Sequence, residues 1–186
     1  MFAEWSRPPR RLLSLFALLL LTPAPAARAS SALAMNSLEL QLRSDAIVAG
    51  RVVGLRTHRL ERGLIVTDVK FLVEQTARGT GLPATITVRQ PGGRIGDELQ
   101  VADEVPTFEL NEQALLFLRE NRAGGFYSVV GLEQGKVSLV PEAGGRLRLE
   151  RRMGGVAQSG LAQTLRPGAR WDYLDDFMGQ PEVDPQ

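Results

Sequence analysis

The sequence predicts a mainly β domain folded as a small antiparallel barrel, and three observations carry that prediction. The first is a strict period of two over residues 64–75, where Ile65, Thr67, Val69, Phe71 and Val73 alternate with Val66, Asp68, Lys70, Leu72 and Glu74; a helix has no use for that period. The second is a stretch equally rich in Val and Ile at residues 46–57, joined to the first by a hairpin loop over 59–63. The third is length. A strand of about 12 residues spans roughly 40 Å, whereas a compact domain of about 130 residues has a radius of gyration near 14 Å. Two such strands must coil, and Gly50 and Gly54 inside the first allow bends or close backbone approaches. Coiling favours a closed or nearly closed barrel over a flat sandwich.

The remaining elements follow in order. Residues 37–43 place Leu38, Leu40 and Leu42 between polar residues, a pattern that fits a short entry helix or an edge strand. Shorter strands are predicted at 84–90, 114–119, 126–130, 136–140 and 146–149, separated by turn signals at 79–83, 91–93, 123–125 and 143–145. The chain turns polar after Gly154 and Gly155. Trp171, Leu174, Phe177 and Met178 then recur at helical spacing beside Asp172, Asp175 and Asp176, with Gly179 and Pro181 as stops. This divides the chain into a barrel domain at 37–150, a C-terminal extension with a short helix at 151–179, and a disordered tail at 180–186.

The first 29 residues read as a cleaved export signal: Arg7, Arg10 and Arg11, an uncharged apolar run over 12–21, then a small-residue segment ending Ala27-Arg28-Ala29. Cleavage after Ala34 is the alternative. The run is about half the length that a membrane-spanning helix needs, so the expected product is exported, without a membrane anchor, to the periplasm or beyond. Arg10-Arg11 lacks most of the twin-arginine surroundings. The leader also explains the charge. Of 22 basic residues four lie in it, leaving 18, and of 21 acidic residues one does, leaving 20. A slightly acidic remainder gives no reason to expect a nucleic-acid or anionic-membrane partner.

Several runs carry a resemblance: Ser44 through Val52, Thr67-Asp68-Val69, Phe108 through Glu112 leading into Leu115-Leu116-Phe117-Leu118, and Gly131 through Lys136. Over residues 37–140 the chain resembles a widespread group of uncharacterised bacterial exported proteins. Their barrel is similar to the oligonucleotide/oligosaccharide-binding (OB) barrel of the netrin and tissue-inhibitor-of-metalloproteinase type. The resemblance implies that fold, and by analogy regulation or inhibition of an exported metalloprotease. Tissue inhibitors chelate the protease zinc through an N-terminal cysteine, and this chain has no cysteine; that mechanism does not carry over.

Composition excludes much chemistry. Without cysteine there is no thiol nucleophile, redox pair, iron–sulfur cluster or cysteine zinc site. A single histidine, His58, excludes any site needing two imidazoles; between Arg56 and Arg59 it reads as a solvated hairpin-end residue rather than a general base. Ser159-Gly160 lacks the glycine at 157 that a nucleophile elbow requires. No catalytic residue and no cofactor are therefore expected, and a non-enzymatic binding module with an exported protein partner, a protease among the candidates, is the function assigned by elimination.

Two regions remain as candidate sites. Residues 91–107 form the longest irregular stretch, glycine-rich at its start and lacking the Gly-Lys-Ser/Thr ending of a phosphate loop. Long loops on rigid barrels carry function, which singles out Arg94, Ile95, Val105 and Phe108 as binding residues. Within it Asp97, Glu98, Asp103 and Glu104 gather the carboxylates a hard cation needs, although their spacing matches no EF-hand and a solvated acidic loop is preferred. A carboxylate-based hydrolase is the remaining alternative; it requires these residues to share a cleft with one raised pKa, in a chain only 6% aromatic. Trp171 on the C-terminal helix is the last candidate, suited to docking a partner or to packing on its own barrel.

Overall fold

A computed structural model describes residues 35–153, 156–162 and 170–179. The predicted signal segment, both of its cleavage sites, the Gly154-Gly155 break and the tail at 180–186 lie outside the described residues. The chain enters through helix α1 (Ser37–Leu42). Asn36 Oδ1 accepts from the Glu39 amide at 2.9 Å and Glu39 Oε2 accepts from the Asn36 amide at 3.0 Å. This reciprocal capping box decides the helix against the edge strand that the leucine alternation also allowed.

Strands β1 (Ala46–Arg59) and β2 (Ile65–Arg78) form the long hairpin. β3 (Thr85–Pro91), a small hairpin β4 (Gly93–Ile95) and β5 (Glu98–Gln100), then β6 (Gln113–Asn121) and β7 (Phe126–Val129) follow. A 3-10 turn (Leu132–Gly135) leads to β8 (Lys136–Pro141), β9 (Leu147–Met153), β10 (Val156–Ser159), β11 (Leu161–Ala162), β12 (Arg170–Trp171) and a one-turn helix α2 (Leu174–Met178). The main sheet runs β1-β2-β3-β7-β6-β8-β9-β10, and β1 also pairs with β6. Strands β1, β2, β3, β7 and β6 thus close into a ring. The ring is not wholly antiparallel, because an odd number of strands cannot alternate direction all the way round. The required parallel contact falls at β3–β7, where Val88 faces Tyr127.

Two cores share the strands β1 and β6. Val48, Val52, Val69, Phe71, Ile86, Val88, Leu116 and Leu118 fill the inside of the ring. Ile47, Ala49, Leu115 and Phe117 face the other way and meet Leu40, Val137, Leu149, Leu161, Trp171, Leu174 and Phe177. This double burial explains why residues 46–49 and 114–118 are apolar without interruption, whereas β2, covered on one face, alternates. Gly50 serves the ring directly: a Cβ there would lie 1.9 Å from the Leu72 carbonyl oxygen, and β1 shifts register at Ala49/Gly50 and again at Val52/Gly54. β9 continues through the boundary predicted at residue 150, and Tyr173 bridges back to Arg148, so the C-terminal residues form a second layer on the barrel.

Candidate functional site

The excursion between β3 and β6 leaves the ring at Pro91 and returns at Gln113, and it builds a cavity at one mouth of the barrel. Gly92 and Gly93, with φ of +91° and +140°, turn the chain sharply back over the barrel end. A Cβ on Gly93 would lie 2.5 Å from Thr67 Oγ1, so only glycine lets β4 sit against β1 and β2. Gln100 Oε1 then accepts the Ile65 amide at 2.8 Å, and Thr67 Oγ1 donates to the Gly92 carbonyl at 2.9 Å. These bonds hold the hairpin over the mouth.

The cavity measures about 290 Å³ and is walled by Leu55, Val69, Gln90, Val101, Val105 and Phe108 among others, with no charged residue in its lining. Two of its apolar lining side chains stand exposed: Leu55 is 45% exposed and Val101 73%. A second cavity, of about 270 Å³, lies beyond Pro106 and Thr107 and is lined by Glu109, Glu112, Glu133 and Glu150 around Lys136. Lys136 Nζ pairs with Glu112 Oε1 at 2.6 Å, donates to the Thr107 carbonyl and sits 4.7 Å from the centre of the Phe108 ring. Lys136 thereby fixes the wall between the two cavities.

Of the residues singled out from the sequence, Val105 and Phe108 come together in the mouth cavity. Arg94 and Ile95 lie outside its lining, exposed on β4. Trp171 stands apart. Its ring is buried 5.4 Å from Phe177 in an edge-to-face contact within the chain's own core.

The four carboxylates do not converge. Asp97, Glu98 and Asp103 are exposed, Glu104 is half-buried, and none lines either cavity. Glu98 is bonded by Arg59, whose guanidinium holds its carboxyl below the usual range, the opposite of the shift a general acid needs. Among the described residues no three acidic or histidine side chains are grouped to hold a metal ion.

His58 also departs from the sequence reading. β1 continues to Arg59 and pairs His58 with Val66, so its ring lies on the strand rather than free at the loop. Its Nδ1 is buried 3.8 Å from Asp68 Oδ2. Asp68 is held by Arg89 through two hydrogen bonds, 2.7 and 2.9 Å, which keep its carboxyl below the ordinary value against the opposing effect of burial.

The residues that sequence reasoning missed are Leu55, Gln90 and Val101. Gln90 had a usable signal: on β3 it follows Ile86 and Val88 on the inward register, a polar side chain where the alternation calls for an apolar one. No protein-family model matches this chain, and neither the curated proteins nor the solved structures hold a significant match to it.

Proposed function

We propose that the chain is an exported, non-enzymatic protein-binding module whose contact surface is the barrel mouth and the excursion at 92–108. The observation that carries this reading is the pair of exposed apolar side chains, Leu55 and Val101, in the lining of an uncharged cavity; apolar side chains concentrated in one place mark interaction surfaces more often than scattered ones do. Export rests on the three-part leader at residues 1–29. The ring order β1-β2-β3-β7-β6, with one parallel contact between its third and fifth strands in chain order, supports a barrel of OB type, similar to netrin and tissue-inhibitor domains. Fold alone does not select the partner.

The test is affinity capture with the tagged full chain expressed in its own source, beside a Leu55→Asp/Val101→Asp variant. One exported protein retained by the parent chain and lost from the variant is the expected result. Equal recovery from both, or none from either, rejects this surface. The N-terminal residue of the captured chain checks export in the same experiment: Ser30 or Met35 is expected, and an intact leader would contradict it.

A further inference from the structure

Residues 93–103 are fastened to the barrel less firmly than the chain on either side of them. Gly92 and Pro106 are buried, whereas every residue from 93 to 103 is exposed or half-buried. Gly92 is pinned twice to β2: its amide donates to the Ile65 carbonyl at 2.8 Å, and its carbonyl accepts from Thr67 Oγ1 at 2.9 Å. At the far end the Glu104 carbonyl accepts the Glu133 amide at 2.7 Å, and Lys136 holds the Thr107 carbonyl. Between these fixed points β4 pairs with β5, and among the described residues two polar contacts tie the hairpin to the barrel. The Ile65 amide donates to Gln100 Oε1 at 2.8 Å, and Arg59 Nη2 donates to Glu98 Oε2 in an ion pair exposed at both ends. A segment with no buried side chain and few bonds to the body opens locally while the rest stays folded. Bends stand ready at both ends, with φ of +91° and +140° at Gly92 and Gly93 and +59° at Glu104.

What this segment covers is Ile65. On the inward register of β2 with Thr67 and Val69, Ile65 is fully buried, yet it belongs to neither of the two cores. Both of its backbone polar groups bond the excursion, at Gly92 and Gln100, and β4 lies against β1 and β2. The excursion therefore keeps Ile65 from water. The same segment supplies Gly93, Gln100, Val101 and Ala102 to the lining of the mouth cavity. We propose that residues 93–103 are a hinged strap across the barrel mouth, latched by the Arg59–Glu98 ion pair, and that its opening uncovers Ile65 and widens the cavity. Salt weakens an ion pair exposed at both ends, so ionic strength sets how often the mouth stands open. The strap is a property of the chain alone, with or without a captured partner.

The test is native-state hydrogen exchange of the full chain, read at single amides by NMR. The Ile65 amide reports the strap, because its acceptor is the Gln100 side chain. The Val52 amide, bonded to the Glu112 carbonyl at 2.9 Å, reports unfolding of the barrel. Ile65 is expected to be protected at least about tenfold less than Val52, and to respond far less to dilute urea, as a local opening does. Glu98→Gln removes the latch charge and is expected to lower the protection of Ile65 about two- to fivefold, the worth of one exposed ion pair. Raising the salt from about 0.05 to about 0.5 M should lower it likewise in the parent chain and leave the variant unchanged; this arm needs no substitution to fold. Equal protection of Ile65 and Val52 in the parent chain overturns the strap. Protection that falls at Val52 but not at Ile65 in Glu98→Gln, or an Ile65 amide indifferent to salt, overturns the latch, since Ile65 would then open with the ion pair intact.

Discussion

Asp68 gathers its neighbours on the outer face of the barrel through short polar contacts. Arg89 grips both of its oxygens, the His58 ring stands 3.8 Å away, and the Arg89 guanidinium in turn lies 4.3 Å from the centre of the Phe126 ring. The carboxyl's folded pKa is lowered, chiefly by the hydrogen bond from Arg89. A lowered carboxylate stabilises the fold fully above its unfolded pKa, about 3.9, and loses that contribution as pH falls through the folded value. Asp68→Asn should therefore destabilise the chain by about 1–2 kcal/mol at pH 7, a figure reduced for partial exposure. In urea unfolding the gap between parent and variant should hold down to about pH 4 and close below it; a gap unchanged at lower pH would show that the ionised pair is not its source. This cluster was not legible as a site from the sequence, and Gln90 left only the mark of a polar residue on the inward register of β3. Val105 and Phe108 were, because a long irregular segment announces itself by its glycines and prolines, whereas Asp68 and Gln90 gain their meaning from cross-strand partners 21 and 23 residues away.

The elements show the same division between local and non-local information. Strands β1, β2, β3, β6, β7 and β8 were legible to within a few residues, since each carries its own alternation or apolar run between turn residues. The three-residue strands β4 and β5 were not, because so short a piece has no period to read. The parallel β3–β7 contact was equally hidden, being a consequence of ring closure rather than of any local pattern. Gly50 and Gly54 look alike in sequence, yet the structure separates them. A Cβ at Gly50 would strike the Leu72 carbonyl, while one at Gly54 would meet the Lys70 Cβ at 3.5 Å, an ordinary contact. Gly50→Ala must therefore push β1 and β2 apart where β1 also pairs with β6, at a cost of about 3 kcal/mol. Gly54→Ala should stay within about 1 kcal/mol of the parent or stabilise it slightly by restricting the unfolded chain. Denaturant midpoints of the two variants, measured side by side, test the pair; similar losses in both would mean that residue type rather than backbone approach sets the cost.

Across the whole molecule, β1 and β6 are the shared wall between the ring interior and the outer core, and this coupling sets how the chain should unfold. Phe117 of β6 points outward and meets Phe177 at 5.9 Å between ring centres, while Leu116 and Leu118 on either side point into the ring. A helix as short as α2 has no stability of its own, so its place depends on Leu174 and Phe177 being buried against β6, β9 and Trp171. Phe177→Ala should cost about 3–5 kcal/mol, the range for emptying a buried aromatic site. Because the lost contact lies on a strand common to both cores, the cost should lower the stability of the barrel as well as of the C-terminal layer. In a Trp5→Phe background, where Trp171 is the one remaining tryptophan, its fluorescence and the far-UV circular dichroism of the sheet should then melt in a single coincident transition, shifted down together by Phe177→Ala. A Trp171 transition that precedes the loss of sheet would instead make the C-terminal layer a separately unfolding unit and place the ring's stability in its interior alone.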